Sequence, residues 1–159
     1  MQSAIQTIAT VLGALSLAIT ATAYLLSRKN LNFSVMLACI ERFQALLPAL
    51  RSGEISEEDT IKYIDLCNEE LFYIQHKYIH EEVALEWIEG MAEFLPVLDV
   101  QTDQPWNSKQ CHEAADKMVK DFPRLVNAFT TDEPPDLSSA FSQRRFAERV
   151  LKRVRRYQF

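Results

Sequence analysis

Between Ser3 and Leu26 the chain runs for 24 residues, SAIQTIATVLGALSLAITATAYLL, without an Asp, Glu, Lys, Arg or His. As a helix rising 1.5 Å per residue this stretch reaches about 36 Å, more than the roughly 30 Å hydrocarbon core of a bilayer. The feature predicts a single transmembrane helix. A cleaved signal peptide is the main rival, because Ala21-Thr22-Ala23 fits a small-x-small cleavage site. Against it, no Lys or Arg precedes the apolar run, and Arg28 and Lys29 follow it instead. That placement of positive charge predicts a cytoplasmic C-terminus.

The polar residues within the segment are ordered. Gln2, Gln6, Thr10, Gly13, Ser16, Thr20 and Tyr24 follow one another at steps of three or four, which places them on one helical face. Small and hydroxylated side chains on one stripe let helices approach closely in lipid. The stripe therefore predicts homo-oligomerisation, and a water-lined pore is one arrangement it allows. A lone anchor that happens to be rich in Ala and Thr is the plainer alternative.

Beyond Lys29 the chain changes character. The net charge of −5 divides unevenly: residues 144–156 hold seven cations and one acid, so the rest of the chain carries −11. Three glycines (Gly13, Gly53, Gly90) leave no Gly-rich phosphate loop. Apolar residues recur at helical spacing, and no alternating strand stands out. Asn32 or Ser34 is expected to cap a helix that Pro48 kinks or ends. Ser56, with Glu57, Glu58 and Asp59 behind it, starts a second helix that buries Ile61, Ile64, Leu66, Cys67, Leu71, Phe72 and Ile74. A third runs from about Glu81 to Leu95, closed by Pro96. Residues 99–108 form a loop, after which Ser108 caps a helix bent near Pro123. The expected fold is all-α: transmembrane helix and basic flank at 1–29, cytosolic helical bundle at 30–131, linker at 132–135, and basic amphipathic helix at 136–159.

Residues 41–95, on the register of Tyr63, Glu69 and Phe72, a turn containing Lys77, and then Trp87 and Gly90, resemble a bacterial family of small single-span membrane proteins of unknown function. The resemblance implies a membrane helix ahead of a helical domain, and no activity. The layout is also similar, more loosely, to membrane accessory proteins of CRISPR and other anti-phage systems, which can assemble into pores. Some of those carry an Arg-x4–6-His ribonuclease-like motif. No Arg precedes a His at that spacing here, so the activity does not carry over.

Catalytic and metal signals are sparse. His76 and His80 have the i, i+4 spacing of a metal-binding helix face, but Ile79-His80-Glu81-Glu82 reads as a new helix start, so a turn is expected and no metal. Cys39, Cys67 and Cys111 are odd in number and lie in apolar stripes, which suits buried reduced thiols. Cys111 and His112 point about 100° apart on a helix and make a poor nucleophile–base pair. The carboxylates between Glu54 and Asp99 read as a solvated face. No catalytic residue and no cofactor is expected.

The tail carries Arg144, Arg145, Arg149, Lys152, Arg153, Arg155 and Arg156. Arg145, Arg149, Lys152 and Arg156 share one helical face, while Phe146, Val150, Val154 and Tyr157 line another. Such a helix can dock on the acidic body, lie on anionic lipid, or bind nucleic-acid phosphates. Docking is expected first, since −11 resides in the same chain. Nucleic acid is disfavoured because no second basic patch accompanies the tail. The expected partners are the lipid bilayer, further copies of the chain and a cytosolic protein. The function expected is that of a membrane effector or accessory protein, with a membrane-tethered recruiting module and a degenerate nuclease-like enzyme as alternatives.

Overall fold

The computed structural model describes the backbone of residues 2–106 and 112–156, and the side chains of 15–106 and 114–156. Its six helices are α1 (Gln2–Ser52), α2 (Glu57–Gln75), α3 (Glu81–Phe94), α4 (His112–Asp121), α5 (Pro123–Phe129) and α6 (Ala140–Arg156). The fold is all-α, and its first helix is the one among the described residues long and apolar enough to cross a membrane. The chain divides into two compact units, Met1–Ala38 and Cys39–Phe159.

In the first unit, every side chain from Leu15 to Asn30 is exposed. Leu17 is 73% and Ile19 67% exposed. Thr20 donates its hydroxyl to the Ser16 carbonyl at 2.9 Å, and Thr22 to that of Ala18 at 2.8 Å. These internal bonds satisfy the hydroxyls without water, as an apolar environment requires. The helix start expected at Asn32 or Ser34 is absent. Ser34 instead bonds back to the Asn30 carbonyl at 3.0 Å, and no Gly or Pro interrupts the stretch, so α1 runs through it. Pro48 does not end the helix either; it lies inside α1, which stops at Ser52 just before Gly53 at φ 73°.

In the second unit, α2 begins at a capping Ser56, whose hydroxyl oxygen accepts from the Asp59 N–H at 3.1 Å. Tyr63, Ile64, Leu66, Cys67, Leu71 and Ile74 are buried along it. Ile61 and Phe72, expected in that stripe, are exposed, because they fall on the helix flanks. The helix closes at His76, and Lys77 at φ 58° turns the chain. α3 then starts from His80, so the two histidines do not share a helix face. Ala84, Leu85, Ile88 and Met91 are its core residues. The helix expected to bend near Pro123 is two helices: Phe122 leaves helical geometry, and Pro123 opens α5, where a missing N–H costs nothing. The Ser108 cap and Cys111 lie outside the described residues.

A feature with no sequence signal joins the halves of this unit. Leu98–Asp99 (β1) pairs in parallel with Thr130–Thr131 (β2), in register Leu98 to Thr130. Two residues are too few for any alternation to show. α6 completes the core with Phe146, Ala147, Val150, Leu151 and Val154, all buried. Its most extensive contact is with α3.

Candidate functional site

The polar stripe of α1 is described only in part. The side chains of Gln2, Gln6, Thr10 and Gly13 lie outside the described residues. Ser16, Thr20 and Tyr24 are all exposed.

The basic tail separates into two sets of cations. Because Phe146, Val150 and Val154 point into the core, the cations beside them lie along the seam with neighbouring helices. Arg144 bridges Glu82 and, at 3.2 Å, Glu89, both on α3. Arg155 reaches Glu81 at 2.7 Å, and its hydrogen bond holds the Glu81 carboxyl below the usual carboxylate range. Arg153 donates to carbonyl oxygens of Asn127, Ala128 and Thr130 where α5 ends. Docking is thus carried by Arg144, Arg153 and Arg155.

The four cations on the expected face do something else. Arg145, Arg149, Lys152 and Arg156 are exposed and make no ion pair among the described residues. Arg145 lies 5.6 Å from the exposed Phe141 ring, and Arg149 lies 6.0 Å from that of Phe146. Arg149, Lys152, Arg153 and Arg156 line one open groove. The adjoining groove adds Asp132, Glu133 and Asp136 to Arg145, Arg149 and Arg153, so it is mixed in charge. Since Phe146, Val150 and Val154 are committed to the core, the exposed side of α6 offers a partner mainly charge, with Phe141 the one large apolar side chain exposed among its described residues.

A second site escaped sequence reasoning. A small cavity is lined by Phe43 on α1, Tyr63 and Glu70 on α2, and Glu86, Trp87 and Gly90 on α3, with a volume of about 90 Å³. Glu70 is only 7% exposed and makes no hydrogen bond or ion pair among the described residues. Burial pushes its carboxyl up to about 8, with Glu69 adding to the rise and Arg42 opposing it. Its neighbour Glu69 behaves oppositely. Burial raises it, but hydrogen bonds from Tyr73 (2.6 Å) and Arg42 outweigh that and hold it low. One signal could have revealed the site: Glu70 sits seven residues after Tyr63 and three after Cys67, an acid on the apolar stripe of α2.

The cavity can hold a small cationic or hydrogen-bond-donating group, whereas the α6 face suits anionic surfaces. Among the described residues no group of His, Cys, Asp and Glu has metal-binding geometry. No protein-family profile, no curated protein and no solved structure matches this chain.

Proposed function

We propose that this chain is a single-pass protein of the bacterial inner membrane with its helical unit in the cytoplasm. In this reading it self-associates through the polar stripe of α1 and acts as a membrane effector or accessory subunit, of the kind used in anti-phage defence. The observation that carries the reading is the exposure of Leu15, Leu17, Ile19, Leu25 and Leu26 along an uncharged helical run. Removing that much apolar surface from water, at about 25 cal/mol per Å², is a strong drive into lipid or against other copies. Arg28 and Lys29 support the orientation.

The test is extraction and topology together. The full chain expressed in a bacterium should stay with membranes through alkaline carbonate and leave only with detergent. A reporter fused after Phe159 should be active only in the cytoplasm. Release by carbonate, or a periplasmic signal, overturns the proposal.

A second reading, a membrane-tethered module that recruits a cytosolic partner, is favoured by the exposed cations Arg145, Arg149, Lys152 and Arg156. Such a partner would present an acidic surface. Replacing α1 by an unrelated anchor separates the two readings: recruitment survives the exchange, and function through the stripe does not.

A further inference from the structure

We propose that the cleft lined by α1, α2 and α3 is a binding site for a small organic ammonium ion, with Glu70 as its counter-charge. The lining sets the ligand's chemistry. Three aromatic side chains, Phe43, Tyr63 and Trp87, and the aliphatic Ile40 and Met91 line it together with two carboxylates, Glu70 and Glu86, and no cation lines the space. Aromatic rings attract cations through their quadrupole, and the carboxylates repel anions. The volume of about 90 Å³ sets the size. A water needs about 10–15 Å³ of such space, so a ligand of a few heavy atoms fits.

Glu70 supplies the need for a ligand. At 7% exposure and on the cavity lining, its carboxylate is poorly hydrated, and an ammonium ion beside it offers both a counter-charge and N–H donors. Arg42 does not fill that role, because Glu69 and Asp65 occupy it. A neutral apolar ligand would leave the carboxyl unsatisfied. Gly90 is part of the lining, and a Cβ added there would meet no atom within 4 Å, so a larger side chain has room.

Binding is coupled to a proton. The empty site holds Glu70 largely protonated near neutral pH, so capture of R–NH3+ by the carboxyl releases one H+ to solvent and leaves a carboxylate–ammonium pair. The groups around Glu70 are Cys39 and Arg42 from α1, Glu69 on α2 itself, and Glu86 from α3. An alkylammonium stays charged up to about pH 10, as a Lys side chain does. Affinity therefore rises with pH as Glu70 ionises, by about tenfold or more between pH 6.5 and 8.5.

The experiment uses the full chain in a non-ionic maltoside detergent, carrying Trp106→Phe so that Trp87 alone reports. Methylammonium chloride is titrated against sodium chloride at equal ionic strength, with methanol as the neutral ligand of similar size. Expected is a saturable change in Trp87 fluorescence and a raised melting temperature with methylammonium only, tighter at pH 8.5 than at 6.5. Glu70→Gln should abolish saturation while leaving the helical circular dichroism intact. Gly90→Leu, which fills the space without touching the charge, should abolish it too. An equal response to sodium or methanol, saturation retained in both variants, or affinity independent of pH overturns the proposal.

Discussion

Arg153 Nη1 on α6 donates to the carbonyl oxygen of Ala128 on α5 at 3.0 Å. The same nitrogen reaches Asn127 at 3.3 Å and also Thr130, so one side chain closes the open end of a seven-residue helix. Terminal carbonyls of a helix have no partner of their own, and a guanidinium there also suits the helix dipole. Arg153→Met should keep the packing of the side-chain stem and lose this closure. Unfolding in urea is expected to shift by roughly 1–3 kcal/mol toward lower stability. A midpoint equal to that of the parent would show that water satisfies these carbonyls as well.

The division of labour on α6 makes a sharper test. Changing Arg145, Arg149, Lys152 and Arg156 together to Gln should leave the melting temperature unchanged or slightly raised, since these like charges crowd one face. Arg144→Gln should lower it, because Glu82 and Glu89 lose their shared partner. Melting curves of the two variants side by side decide the matter. A quadruple variant less stable than Arg144→Gln would mean that the exposed face contributes to docking after all.

Stability should depend on pH through Glu70. Its carboxyl sits at about 8 in the fold, against about 4.3 in an unfolded chain. Between those values the folded state binds the extra proton, so stability falls as pH rises from about 4.5 through 8. Cys39 and Arg42 from α1, Glu69 from α2 and Glu86 from α3 surround the group. The loss is on the order of a few kcal/mol. Glu70→Gln should flatten this slope in urea titrations at pH 5, 7 and 9. A parent protein equally stable at pH 5 and 9 would count against a buried, unpaired carboxyl.

On the proposed membrane stripe of α1, Thr20→Leu should weaken cross-linking between copies in membranes, because bulk on the stripe holds helices apart. Leu15→Ile, off the stripe, should change little. Equal effects of the two substitutions would remove the stripe from the account.

What the sequence made legible depended on how locally each feature is determined. The start of α2 is a three-residue event between Ser56 and Asp59, and it could be read directly. The acids at Glu81 and Glu82 mark a boundary in the same local way, whereas Pro123 read as a bend and is a break between two helices. The continuity of α1 through Asn32 and Ser34 was not legible, since both residues suit a cap or a helix interior and only Ser34's bond to Asn30 decides. The pairing of Leu98 with Thr130 joins residues 32 apart and leaves no periodic trace. Sorting seven tail cations into docked and exposed sets needed the positions of Glu81, Glu82 and Glu89 in space. Glu70 was hidden by its chemistry: it reads as one acid among many until its place on the buried face is taken seriously.

The buried face of α6 also bears on how the molecule is made. Phe146, Val150 and Val154 are buried on α6, the helix that packs on α3, formed some fifty residues earlier. Domains fold as units during synthesis, and this one stays unfinished until its sixth helix arrives. The part of α3 that α6 covers must therefore wait exposed until then. A nascent chain of this design is incomplete until α6 emerges, with the apolar face that α6 covers turned outward.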